Sequence, residues 1–280
     1  MKYVVLKNFI DSNQCKKLID DGNKHLNFDK HVIIHKNRVI VNGSNKDFNY
    51  LIKKSNVWDN FEKKINSQDF LDFCLKKVEL DSSKYCLKNF FKIRTPSSQE
   101  EKYKKICNTK TKVIPTIPLL KYLLFRIYRN ILRKIKFSKL FYPKKSPVEL
   151  LYDFSRAGNG YSIEPHRDSD SRLLVFLLFL NSFSEDSGAA GGKLHFHELL
   201  DKSKDIARPK LESCKLIDTI KPEAGTLVIF SNEDDSYHSV SEMKNSKDYR
   251  YFMYGGFTLL SQKNPNIKGN KQDTTFELYE

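Results

Sequence analysis

The sequence predicts a mainly β protein with α elaborations, in which a barrel or double-sheet jelly roll in the second half follows a helical first half. Two observations carry this. After Pro147 the chain breaks into about eight short β-favouring runs separated by turn residues, with no helical pattern between them. From Asn49 to Val78, by contrast, apolar residues recur at helical spacing. A third stretch, 96–147, fits neither half and reads as an insertion.

At the N-terminus, residues 3–9 alternate loosely and read as a strand. Asp11-Ser12-Asn13-Gln14 reads as a capping box that opens a helix to about Asp21, with Gly22 as its stop. Residues 28–50 contain the β-favouring runs Val32-Ile33-Ile34 and Val39-Ile40-Val41, with Asn42-Gly43-Ser44 as a turn. The stripe from Leu51 through Trp58, Phe61, Ile65 and Phe70 to Leu75 predicts two or three helices packed on one face of a sheet. Trp58, the only tryptophan, is expected to anchor their core.

Within 96–147, Thr95-Pro96-Ser97-Ser98 breaks the preceding pattern, and Pro115 and Pro118 bracket a short extended run. A helix is expected from about Leu119 to Leu140. Its apolar stripe (Leu120, Leu123, Leu124, Ile127, Ile131, Ile135) is surrounded by Arg126, Arg129, Arg133, Lys134 and Lys136, the pattern of a basic amphipathic helix. The later strands are expected at 150–155, 161–168, 173–180, 193–197, 216–220, 226–230, 238–241 and 250–259.

A chain of 280 residues that is 39% hydrophobic holds one large domain, or one domain with an N-terminal elaboration. Its five cysteines are odd in number, scattered, and include no CxxC pair, so neither a disulfide framework nor a zinc site is indicated, and a reducing cytoplasm fits best. Lysine interrupts the N-terminal apolar run too early for a signal peptide, and no uncharged apolar run is long enough to span a bilayer. The net charge of +15 is concentrated: Lys102 to Lys145 holds 14 Lys or Arg and no acidic residue. That run suits an anionic membrane surface, nucleic acid, or an acidic or phosphorylated substrate. Biased codon usage in a Lys/Asn/Ile/Phe-rich chain accounts for it equally well.

The chemistry centres on Tyr161-Ser162-Ile163-Glu164-Pro165-His166-Arg167-Asp168. On an alternating strand His166 and Asp168 leave the same face and can share one ion. His238, far along the chain in Ser236-Tyr237-His238-Ser239, is placed to supply a third ligand. Two imidazoles and a carboxylate form the facial triad that holds Fe(II) with three coordination positions open.

The surrounding motifs resemble the Fe(II)/2-oxoglutarate-dependent dioxygenases, in particular their prolyl-4-hydroxylase-like branch, over roughly Leu150 to Leu260. Tyr161 precedes the H-x-D pair, and Phe176-Leu177-Leu178-Phe179-Leu180-Asn181 stands where a strand ends in tyrosine-leucine-asparagine. Gly191-Gly192-Lys193-Leu194 matches the GG-x-L turn. Pro222-Glu223-Ala224-Gly225-Thr226-Leu227-Val228-Ile229-Phe230 leads to His238, and Arg250 matches the basic residue on the next strand.

The resemblance implies a double-stranded β-helix core at 148–262, supported by 1–95, with the basic insertion at 96–147 and a tail at 263–280. It implies Fe(II), 2-oxoglutarate and O2 as cofactors, with oxidative decarboxylation to succinate and CO2. His166, Asp168 and His238 would bind iron, and Arg250 would hold the far carboxylate of 2-oxoglutarate through its planar fork. Tyr161 and Tyr254 are expected to line the co-substrate pocket.

Phe179 replaces the tyrosine before Leu-Asn and removes one possible hydroxyl contact. The carboxylate of Asp168 indicates hydroxylation rather than halogenation. Gly256 stands where nucleic-acid demethylases of the superfamily carry a second arginine, which argues against base demethylation.

The substrate is open: a protein or peptide residue such as proline, or an acidic small molecule or saccharide precursor. His195 and His197 alternate on one strand and read as a barrel-wall pair rather than an accessory metal site. Arg156, Asn159 and Arg172 are candidates for the cavity mouth. The rival readings are a non-catalytic barrel binding nucleic acid or anionic membrane through its basic run, and a cupin-type enzyme without a keto acid.

Overall fold

The computed structural model of the protein describes residues 1–43, 45–88, 145–182, 190–201, 206–246, 248–260 and 264–268. Strand β1 (Tyr3–Leu6) leads to helix α1 (Ser12–His25), then strands β2 (Val32–Ile34) and β3 (Arg38–Asn42). Helices α2 (Lys46–Lys54), α3 (Asn56–Ile65) and α4 (Gln68–Lys77) precede β4 (Tyr85–Leu87). Eight strands follow: β5 (Ser146–Ala157), β6 (Ile163–His166), β7 (Arg172–Phe179), β8 (Leu194–Leu199), β9 (Cys214–Ile220), β10 (Leu227–Ser231), β11 (Tyr237–Val240) and β12 (Arg250–Leu259). No described helix is long and apolar enough to cross a membrane.

The expected helix over 119–140, and the basic run up to Lys144, lie outside the described residues, as does most of 263–280.

Local chemistry explains where the helices begin. The Asp11 carboxylate accepts from the Gln14 amide, the Ser55 hydroxyl from Trp58 and the Ser67 hydroxyl from Phe70, each satisfying one of the orphan donors of a helix start. Helix α1 overruns its expected end at Asp21 by a full turn. Gly22 is an interior position, where a Cβ would come within 2.5 Å of the Phe154 ring. The glycine allows a sheet aromatic to approach the helix closely, a need its position in the sequence does not reveal.

The strands form two sheets. The larger runs β1-β10-β7-β12-β5-β3-β2, with β4 pairing in parallel to β5, and the smaller runs β6-β11-β8-β9. This is the expected jelly-roll core, with β1, β2 and β3 from the N-terminal region added to its larger sheet. Side chains alternate between two apolar clusters. Leu174, Phe176 and Leu178 of β7 point to the helices, and Val175, Leu177 and Phe179 point to the smaller sheet. A strand covered on both faces needs no polar alternation, which is why β7 is apolar from Leu173 to Phe179. Trp58 is fully buried among Phe48, Phe61 and Phe154, and its indole donates to the Leu18 carbonyl at 2.9 Å.

The strand expected over 161–168 is shorter. Tyr161 lies in the turn before β6, and Asp168 lies past its end.

Candidate active site

The smaller sheet brings two of the expected ligands face to face. β6 and β11 are antiparallel with His166 opposite His238, and their ring centroids lie 4.3 Å apart. Asp168 turns in from the segment just beyond β6. The ligand atoms of His166, Asp168 and His238 all lie within 4.8 Å of one another, the one such group among the described residues.

Hydrogen bonds fix how each imidazole is presented. His166 Nδ1 is 3.0 Å from the Glu164 carbonyl and His238 Nδ1 is 3.3 Å from that of Ser236. A carbonyl only accepts, so each Nδ1 carries the proton and each Nε2 has its lone pair free for a metal. Burial, reinforced by His238, pushes His166 down to about 3, and burial lowers His238, so both rings are neutral.

Burial by itself would raise Asp168. The Arg172 guanidinium and a hydrogen bond from Tyr254 oppose it, and the carboxyl is held below its ordinary value. The Tyr254 hydroxyl lies 2.8 and 2.9 Å from the two carboxylate oxygens. Burial and Asp168 raise the phenol, which keeps it a donor.

Arg167, between the two ligands in sequence, faces away from them. Its buried side chain bonds Asp170 at 2.7 Å and Asp234 at 3.0 Å, and its amide donates to Ala207 at 2.9 Å. These bonds tie the segment carrying Asp168 to the β10–β11 turn.

Arg250 is 0% exposed. It sits against the rings of Phe252 at 4.8 Å, Phe179 at 4.9 Å and Tyr161 at 6.0 Å. Its Nη1 donates to the Gly192 carbonyl. Gly192 has φ +64 and would place a Cβ 3.3 Å from that nitrogen, so glycine serves both the backbone conformation and the approach. Nε and Nη2 have no hydrogen-bond partner among the described residues. Burial, with Arg38 adding to it and Tyr161 opposing, pushes the guanidinium down to about 10.

All six expected site residues, His166, Asp168, His238, Arg250, Tyr161 and Tyr254, line one cavity of about 190 Å³. Of the mouth candidates only Arg172 lines it. Arg156 bonds Asp29 at 3.1 Å and stacks on Phe28 and Tyr249, and Asn159 ties its loop to Ser246. His195 and His197 bond Thr219 and Ser239, and their rings are 6.2 Å apart on the sheet wall.

Arg38 and Asp153 also line the cavity, and sequence reasoning passed over both. They occupy the polar positions of alternating strands, a pattern that ordinarily marks a solvent face. Nothing in the sequence motifs assigns Arg167 a role of its own.

The fit to an iron and a keto acid rests on these atoms. Two neutral imidazole nitrogens and one carboxylate suit Fe(II), and a buried guanidinium with two unpartnered donors suits a carboxylate.

Residues 152–257 match the family model described as the 2OG-Fe(II) oxygenase superfamily. The fold is similar to the viral collagen prolyl hydroxylase of Paramecium Bursaria Chlorella virus-1, at 13% identity and a TM-score of 0.46, covering 92% of this chain and 97% of that one. It is also similar to a Pseudomonas putida prolyl-4-hydroxylase, at 14% identity and a TM-score of 0.39, covering 92% of each. A third similar structure is a prolyl hydroxylase from Trichoplax adhaerens in complex with a hypoxia inducible factor peptide fragment, at 10% identity and a TM-score of 0.41, covering 92% of this chain and 83% of that one. None of the curated proteins compared with the chain matches it.

Proposed function

We propose, from the match of residues 152–257 to the 2OG-Fe(II) oxygenase superfamily model, that the chain is an oxygenase of that superfamily and hydroxylates an unactivated C–H bond, with 148–262 as its catalytic core. His166, Asp168 and His238 hold Fe(II), and Arg250 holds the far carboxylate of 2-oxoglutarate. The observation that carries this reading is the meeting, in one cavity, of three ligand atoms within 4.8 Å and a fully buried arginine with two unused donors.

When bound, Fe(II) couples decarboxylation of 2-oxoglutarate to O2 reduction, so that R–H, O2 and 2-oxoglutarate become R–OH, succinate and CO2, one oxygen atom entering each organic product. The protein's part is placement and electrostatics. His166 and His238 present Nε2 without having to lose a proton, and Asp168 arrives ionised. Tyr254 donates to the carboxylate and fixes its orientation, the usual task of a residue bonded to a metal ligand.

Arg250 offers Nε and Nη2 as a fork to the co-substrate carboxylate, stacked so that little side-chain freedom remains to be lost. Tyr161 closes the floor beneath it. Leu177, Phe230, Val240 and Ile163 make the adjoining wall apolar, which excludes water from the reacting atoms. The motif order shared with the prolyl-4-hydroxylase-like branch supports a substrate that is a protein or peptide residue such as proline, or an acidic small molecule.

The test is succinate formation by anaerobically purified protein on addition of Fe(II), 2-oxoglutarate and O2, beside Asp168→Ala. Succinate from the wild type alone is expected. If the wild type gives none, and Fe(II) with 2-oxoglutarate also yields no chelate absorption band, the assignment fails.

A further inference from the structure

The cavity has a second polar wall, which adjoins the Arg250 pocket across the Phe252 ring. Arg38 on β3, Asp153 on β5, Tyr254 on β12 and Arg172 at the start of β7 all line it. Arg38 is 4% exposed; its Nε donates to the Ser155 hydroxyl at 3.1 Å, while Nη2 stands 3.9 Å from Asp153 and has no hydrogen-bond partner among the described residues. Arg172 leaves both Nε and Nη1 without a hydrogen-bond partner among the described residues. The two guanidiniums lie 5.3 and 5.6 Å from the centre of the Tyr254 ring. Both thus flank the tyrosine whose hydroxyl contacts Asp168, Arg172 from β7 on one side of β12 and Arg38 from β3 on the other, and Arg38 also stands 4.9 Å from the centre of the Phe252 ring, against which Arg250 packs.

The charges on this wall do not balance. Asp168 is committed to the metal, so Asp153 is the carboxylate left to offset two arginines, and one of its oxygens already accepts from Asn42 at 2.8 Å. Buried cations with unused donors are costly unless an anion completes them. The chain also makes room for the arrangement: a Cβ on Gly256 would fall 2.8 Å from Arg172 Nη1.

We propose that Arg38 and Arg172 form an oxyanion subsite that binds a carboxylate or phosphate group of the substrate beside the iron, so that the enzyme acts on an anionic molecule. This rests on the oxygenase reading above. It places substrate recognition in the barrel itself, on residues 38 and 172, independently of the basic run at 102–145. Arg250 serves the co-substrate, and Arg38 and Arg172 serve the substrate.

The experiment is an anaerobic titration of the protein loaded with Fe(II) and 2-oxoglutarate, with sulfate as probe for a phosphate group in one arm and acetate for a carboxylate in the other. The chelate band is the readout, and calorimetry of the metal-free protein runs in parallel. A saturable shift of the band is expected with at least one ion, and the tighter ion identifies the group. Arg38→Gln and Arg172→Gln weaken it by at least about tenfold, the loss of a charge-assisted hydrogen bond, while 2-oxoglutarate still forms the band. Asp153→Asn tightens it, a gain that a misfolded variant does not produce.

Ion binding that is equal in wild type and both glutamine variants, or absent from the wild type, overturns the subsite. So does loss of the band through competition with 2-oxoglutarate. If no band forms before any ion is added, it is the oxygenase reading that fails, and the calorimetric arms then decide the subsite by themselves.

Discussion

Replacing Arg250 by lysine separates charge from shape at the co-substrate pocket. The wild-type guanidinium is fully buried, stacked by three rings, and has Nε and Nη2 unpartnered while Nη1 is held by Gly192. A lysine supplies a point charge and forfeits one of the two bonds to the carboxylate. That loss is worth about 1.5–3 kcal/mol for a charged pair, or roughly 10- to 150-fold in the KM for 2-oxoglutarate. Burial adds a second signature. Burial already lowers arginine to about 10 here, and the same desolvation lowers the pKa of a lysine placed at 250. Only the protonated amine binds the carboxylate. Affinity in Arg250→Lys therefore weakens as pH rises toward 9, while the wild type, whose guanidinium titrates only at about 10, stays flat. The assays are succinate formation and anaerobic titration of the chelate band between pH 6.5 and 9. A variant KM within about twofold of wild type at pH 7, with no upward trend to pH 9, refutes the assignment of Arg250 to the co-substrate.

Tyr254→Phe keeps the ring and removes the hydroxyl bonded to both oxygens of Asp168; Fe(II) affinity by anaerobic titration falls by about 10- to 100-fold, and unchanged affinity contradicts the orienting role. Arg167→Met strips Asp170 and Asp234 of a partner whose side chain is 1% exposed. Urea unfolding should show a loss of about 3 kcal/mol, and a loss under 1 kcal/mol would mean that the two loops are held by other contacts. Gly22→Ala drives a methyl into the Phe154 ring at 2.5 Å and should cost about 1–3 kcal/mol by the same method, despite alanine's higher helix propensity. Stabilisation there would show that the helix can move away from the sheet.

The parts of the fold that were legible in the sequence are those whose signal is local. The eight later strands show because β-favouring runs and turns alternate there, and β12 falls where it is expected, at 250–259. The triad shows because His166, Asp168 and His238 sit inside motifs whose order along the chain is itself informative. What could not be read is what another strand determines. Asp153 and Ser155 look like the solvent face of β5, since Val148, Leu150, Tyr152 and Phe154 supply its apolar stripe. That stripe faces the helices, and Asp153 on the opposite face lines the cavity. Amphipathic alternation identifies two faces of a strand and does not say which one is wet.

Arg172 and Gly256 show the same limit from the side of function. Read along β12 alone, glycine at 256 is a missing cation. In the fold it is the space into which an arginine from β7 extends: Arg172 Nη1 and Cδ would meet a Cβ there at 2.8 and 3.0 Å, and the Leu174 carbonyl would meet it at 2.5 Å. The positive charge beside Asp168 is therefore supplied from a neighbouring strand, and a side chain at 256 would displace it. Because β7 and β12 are hydrogen-bonded neighbours with Thr258 opposite Arg172, the two positions are one structural decision. Enlarging residue 256 should thus act on the metal carboxylate through Arg172, a coupling that neither strand's sequence states by itself.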